Sequence, residues 1–101
     1  FLNLIGNAIE AAGPKGAVDI TLGLRRTTPP SVIIEIADTG PGPPSAIATR
    51  LFEPFVTGKP EGIGLGLAVS RQAAEDHGGG ITWRRHDNKT VFRVELPCVL
   101  A

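Results

Sequence analysis

Val32-Ile33-Ile34-Glu35-Ile36-Ala37 followed by Asp38-Thr39-Gly40-Pro41-Gly42-Pro43-Pro44 changes physical character at one residue. Residues 32–37 are rich in β-branched side chains, which pack well on a pleated surface and predict a buried strand. Residues 38–44 hold two Gly and three Pro, so the strand cannot continue and a loop follows. Asp38 therefore stands where a buried strand opens into a loop. By itself the loop composition is that of an ordinary turn, because Asp and Gly favour turns. A carboxylate at the end of a buried strand can also accept a hydrogen bond from a ligand amine.

Outward from this strand the chain has a regular plan. Residues 17–25 alternate, with Val18, Ile20, Leu22 and Leu24 facing one way and Asp19, Thr21 and Arg25 the other. That pattern predicts a half-buried strand. Residues 81–86 and 90–96 read as two strands joined by a tight turn at Asp87-Asn88, and Pro97 stops the second. Residues 1–12 predict a helix with Leu2, Ile5 and Ile9 as its apolar stripe, ended by Gly13-Pro14. Leu65, Val69 and Ala73 mark a second helix over 65–77, capped by Gly78-Gly79-Gly80. Residues 45–51 fit a short helix. Residues 54–64 are rich in Gly and Pro and fit a mobile loop. The sum is an α+β fold, a two-layer α/β sandwich with helices on one face of a mixed, mostly antiparallel sheet.

Composition bounds the function. With 101 residues the chain makes one domain, spanning 1–101. Its formal net charge is zero and 42% of its residues are hydrophobic, which fits a globular domain. The sequence has no apolar run long enough for a membrane-spanning helix and no signal-peptide pattern. Arg84-Arg85 is too small a pair to serve as a nucleic-acid stripe. The single cysteine, Cys98, excludes an internal disulfide and fits a reducing, cytoplasmic setting.

Three further groups of residues carry chemistry. Asn3 and Asn7 are four apart on a helix and share a face. An Asn carbonyl oxygen is a hard ligand suited to Mg²⁺, although a polar pair also fits a solvated helix face. Gly62, Gly64 and Gly66 precede and open the second helix, where bare backbone N–H groups and the helix N-terminus suit phosphate. The spacing matches neither the dinucleotide fingerprint nor the P-loop. Phe52 and Phe55 flank Pro54 and fit either a docking contact or core filling.

Taken in order, Asn3-Leu4-Ile5-Gly6-Asn7-Ala8, Asp38-Thr39-Gly40-Pro41-Gly42, Phe52-Glu53-Pro54-Phe55 and Gly62-Ile63-Gly64-Leu65-Gly66-Leu67 resemble the four boxes of a sensor histidine kinase catalytic domain. That domain belongs to the gyrase, chaperone, histidine kinase and mismatch-repair ATPase superfamily. The resemblance covers nearly the whole chain and is greatest to the nitrogen-regulation type. It implies ATP and Mg²⁺ as ligands. Asn7 would hold the Mg²⁺, Asn3 would lie near the phosphates, and Asp38 would read the adenine 6-amino group with Gly40 and Gly42 beside the base. Gly62, Gly64, Gly66 and Leu67 would form the phosphate end of the site. It also implies a phosphoacceptor histidine on a separate dimerisation domain, docked through Phe52 and Phe55, and a response regulator beyond it. No catalytic residue is then expected within this chain.

Departures refine the expectation. In the gyrase and chaperone branches, the residue four before the Mg²⁺-binding Asn is a Glu that acts as general base. Asn3 stands here and cannot take a proton, which disfavours hydrolysis. Histidine kinases often carry Lys three residues after that Asn, and this chain has Glu10; Lys59 could replace the cation. His77 fits a helix cap and His86 a hairpin, and neither matches the family's phosphoacceptor. The chain has no Met and opens on a helical stripe, so we expect a fragment lacking the strand and helix start that precede the first box. The alternatives are an anti-sigma-factor type of serine kinase and a binding module without nucleotide.

Overall fold

The computed structural model describes residues 2–43, 45–53 and 66–98, with residues 2, 3 and 66 given by backbone alone. Its elements are helix α1 (Leu2–Ala12), strands β1 (Val18–Arg25) and β2 (Ser31–Asp38), a single 3-10 turn (Ala48–Arg50), helix α2 (Gly66–Asp76), and strands β3 (Gly80–His86) and β4 (Lys89–Pro97). The expected loop 54–64 lies outside the described residues.

The strands form one sheet in the order β1-β2-β4-β3, and every pairing among the described residues is antiparallel. Both helices pack on one face, which gives the two-layer α+β sandwich expected. Two hairpins, β1–β2 and β3–β4, meet where β2 lies beside β4. Asp87 and Asn88 both have positive φ, 50° and 61°, the geometry of a two-residue hairpin whose twist suits the flanking strands.

Alternation along the strands decides what enters the core. Ile36, Phe92, Val94 and Ile81 point toward the helices and join Leu4, Ala8, Leu51 and Ala74 in one cluster. Trp83 packs against it as the sheet partner of Phe92. On the opposite face, Glu35 pairs with Arg84 at 3.0 Å, Glu95 with Arg25 at 3.5 Å and Asp19 with Lys89 at 3.4 Å. These pairs are partly exposed, so each is worth about 0–1 kcal/mol; burial holds the fold.

The helix faces differ from the sequence expectation. On α1 the buried residues are Leu4 and Ala8, with the expected Ile5 packed against the core beside them, while Ile9 is 60% exposed. On α2 the buried residue is Ala74, with Leu67 beside it; Val69 is 56% exposed and Ala73 is also exposed. Leu4, Ala8 and Ala74 are the buried helix residues, with Ile5 and Leu67 beside them, and Ile9 and Val69 are left outside. Strand β1 differs too. Its apolar residues do face the helix side, but Leu22 is 75% exposed, and Ile20 and Leu24 are exposed as well. Alternation chooses the side of a strand and does not supply a cover. β1 is an edge strand, and only Val18 at its start packs on the core.

Helix α2 ends as the glycine run predicts. Gly78 has φ +81°, its N–H donates to Glu75 O at 2.9 Å, and Gly79 N–H donates to Ala74 O at 2.9 Å. This is a Schellman ending, and it satisfies carbonyls that the last helical turn leaves open. His77 adds a ring contact, Nδ1 to Ala73 O at 2.8 Å.

Candidate functional site

Asp38 ends β2, and the register places it in one rung across all the strands: Val18, Asp38, Thr90 and Arg85. Strand alternation puts this rung on the helix side, two residues beyond Ile36, Phe92 and Trp83. The rung closes the sheet end nearest the C-terminal turn of α1.

A buried carboxylate needs donors. Asp38 is 2% exposed, and Gly40 N–H donates to its Oδ1 at 2.9 Å. Burial pushes the Asp38 carboxyl above its usual value; the Gly40 hydrogen bond and the positive charge of Arg85 pull the other way. Thr39 is tied to the residue before β1 twice. Its N–H donates to Ala17 O at 3.1 Å, and its Oγ1 accepts from Ala17 N–H at 2.9 Å. These bonds hold the start of the loop against the sheet.

Gly40 permits a close approach. A Cβ there would run into the Ala11 carbonyl at the end of α1, so only glycine lets helix and loop meet. Arg85 closes the other side of the loop. From one nitrogen, Nη1, it donates to Gly40 O at 2.7 Å and to Thr90 Oγ1 at 2.8 Å. A Cβ on Gly42 would lie 3.1 Å from Arg85 Cδ and 3.2 Å from Thr90 Oγ1.

The expected site residues divide into groups. Asp38, Gly40 and Gly42 come together as one loop at the sheet end. Asn7 is partly buried on α1, the helix whose end rests on that loop, and Asn3 lies four residues earlier on the same helix. Glu10 is exposed. Gly66 begins α2, and Leu67 packs against the core. Phe52 sets its ring edge-on to Phe92, centroids 6.1 Å apart, so this aromatic fills the core where a docking contact was the other expectation. The Asn3 side chain, Phe55, Lys59, Gly62 and Gly64 lie outside the described residues.

Sequence reasoning missed Arg85, which it weighed only as half of a basic pair. The signal was in the alternation of β3. Ile81 and Trp83 face the core, so alternation puts the exposed Arg85 on the same side of the sheet, at its open end, within reach of the Asp38 loop.

Chemically, the arrangement offers a buried carboxylate acceptor, a loop whose glycines let α1, Arg85 and Thr90 pack close against it, and a cation within the same rung. It suits a neutral ligand group that donates a hydrogen bond, and it disfavours one that presents an acceptor.

Residues 1–100 match the model of the histidine kinase-, DNA gyrase B- and HSP90-like ATPases. The chain is 40% identical over 107 residues to the sensory histidine kinase/phosphatase NtrB of Rhodobacter capsulatus, covering 96% of this chain and 30% of NtrB. It thus spans less than a third of that relative. The catalytic domain of histidine kinase ThkA, nucleotide-free, aligns at a TM-score of 0.82 and 39% identity over 95% of this chain and 62% of that one. ThkA in complex with the response regulator TrrA aligns at 0.78 and 35% identity, over 97% and 27%. Full-length ShkA in complex with AMPPNP aligns at 0.75 and 31% identity, over 99% and 21%.

Proposed function

The chain belongs to the histidine kinase-, DNA gyrase B- and HSP90-like ATPase family, and we propose that it binds Mg-ATP and presents the γ-phosphate to a histidine on a separate dimerisation domain. The observation that carries the reading is Asp38: a buried carboxylate at a strand end, held by Gly40 and flanked by glycines that leave the backbone bare. Its free acceptor capacity fits the adenine 6-amino group. Guanine presents an oxygen at that place and is repelled. The ShkA complex with AMPPNP and the ThkA complex with TrrA support a nucleotide and a response regulator as partners of the parent protein.

The residues fit Mg²⁺ in kind, since Asn7 offers a neutral oxygen on the helix that rests on the Asp38 loop. Mg²⁺ supplies charge neutralisation between phosphates when bound. Asn7 would hold it, with Asn3 on the same helix toward the phosphates. Asn3 has no basic function, so water is not activated and hydrolysis stays slow. Lys59 and Gly62, Gly64 and Gly66 complete the phosphate end in this reading.

The acceptor histidine comes from outside these residues. His77 is engaged with the Ala73 carbonyl, and His86 sits at the hairpin beside Asp87 at 3.2 Å. The chain's part is therefore positioning, and alone it should bind nucleotide without transferring phosphate. Isothermal titration tests this. Mg-ATP should bind saturably and Mg-GTP should not. Asp38→Ala should weaken ATP about 10- to 150-fold, the worth of one charge-assisted hydrogen bond. Equal binding of both nucleotides, or an indifferent Asp38→Ala, would refute the reading.

A further inference from the structure

We propose that Arg85 is a positioning residue of the nucleotide site: reaching from β3 past Thr90, its guanidinium clamps the Asp38–Gly42 loop and keeps the Asp38 carboxylate set for its ligand. The inference rests on the nucleotide reading above and deepens it.

The geometry is a relay of two hydrogen bonds through one glycine. Arg85 Nη1 donates to the carbonyl of Gly40 at 2.7 Å, and the N–H of the same Gly40 donates to Asp38 Oδ1 at 2.9 Å. Glycine is the most pliant link a loop can contain. The N–H lies in the Thr39–Gly40 peptide and the carbonyl in the Gly40–Pro41 peptide, so the two bonds together restrain the φ and ψ of the glycine between them. The second Arg85 bond, to Thr90 Oγ1 at 2.8 Å, anchors the clamp to the sheet. Thr90 is itself the register partner of both Asp38 and Arg85. One nitrogen thereby joins loop to sheet.

The charge acts in the same direction. Arg85 is a cation on the Asp38 side of the sheet, and it favours the ionised carboxylate against the burial that opposes it. Other charged groups near this end lie elsewhere. By alternation Asp19 of β1, Arg84 and His86 of β3, and Lys89 of β4 belong to the opposite face, where Asp19 meets Lys89. From the α1 end come Glu10 and, in the loop after it, Lys15, both exposed. Val18 and Thr90, the residues paired with Asp38, carry no charge.

The test compares the wild-type chain with Arg85→Gln, Arg85→Lys and Arg84→Gln, the last on the opposite face of β3. Mg-ATP affinity is measured from about pH 3 to about pH 8, and the Asp38 carboxyl carbon is titrated by NMR over the same range. The phosphates of ATP titrate identically in every mixture, so differences between proteins belong to the proteins. Arg85→Gln should weaken ATP about tenfold at neutral pH. It should also move the Asp38 midpoint, and the acid loss of affinity, to higher pH. Arg85→Lys keeps the charge and should restore the midpoint and part of the affinity. Arg84→Gln should change neither.

Arg85→Gln behaving like Arg84→Gln in both readouts would overturn the proposal. So would equal loss in Arg85→Gln and Arg85→Lys with an unmoved Asp38 midpoint, which is the mark of a purely structural role. Wild-type chain that binds no Mg-ATP overturns the nucleotide reading and this proposal with it. Normal wild-type binding with insensitive Arg85 variants overturns this proposal alone.

Discussion

Asp38 of β2 and Thr90 of β4 are direct partners across the sheet, and they are the buried polar side chains among the described residues, at 2% and 3% exposure. The rung ends a core that is otherwise apolar. Burying a carboxylate opposes folding unless its bonds compensate, and here they compensate in part, since burial still holds the carboxyl above its usual value. Such a group is held at a cost in stability, and the proposed function gives it a use in ligand recognition.

Asp38→Asn separates that cost from that use. The Asn oxygen can still accept from Gly40 N–H. For Asp38 itself the folded carboxyl titrates above 3.8, its unfolded value. The stability it contributes is full below the unfolded value and is lost as pH rises through the folded one. At neutral pH Asp38→Asn should therefore be more stable than wild type in urea denaturation, and the advantage should vanish in acid. Adenine nucleotide should bind it more weakly. A variant less stable than wild type at neutral pH would mean that the ionised carboxylate is a net stabiliser.

Core and edge should respond in opposite ways to truncation. Ile36 is fully enclosed, so Ile36→Ala should cost about 2–5 kcal/mol. Leu22 is a large apolar residue on the exposed stretch of β1, and Leu22→Ser should change stability by less than about 0.5 kcal/mol. Urea midpoints at constant slope measure both. A large loss at Leu22 would show that β1 is covered in solution.

Gly78→Ala probes the end of α2. Space is not the obstacle, because an added Cβ would lie 3.4 Å from Pro97 Cγ. The obstacle is φ +81°, which costs an L side chain about 1–2 kcal/mol. Thermal unfolding should register that loss without any change in nucleotide affinity.

The strands were legible because their period of two survives burial. Asp87-Asn88 fixed a hairpin, and the Val32–Ala37 run marked the central strand leading to Asp38. The helix faces were less legible. Ile9 outweighs Ala8 on any hydropathy scale, yet Leu4 and Ala8 are buried with Ile5 packed beside them, and Ile9 is left exposed. The exposure of Ile20, Leu22 and Leu24 follows from edge position, which no local pattern encodes. Of the site, Asp38, Gly40 and Gly42 are adjacent in sequence and were read together. Arg85 lies 45 residues from Gly40, and only the β3–β4–β2 register brings it there.

The central claim is that an adenine nucleotide is read at Asp38, and amide NMR with added Mg-ATP tests it most directly. The account predicts saturable shifts centred on Thr39, Gly40 and Gly42, with Asn7 on α1 and little change across Arg25, Glu35 and Glu95 on the far face of the sheet. The same shifts should be absent in Asp38→Ala at matched ligand. Saturable shifts confined to the far face, or an unperturbed Gly40 in a nucleotide-saturated chain, would contradict it.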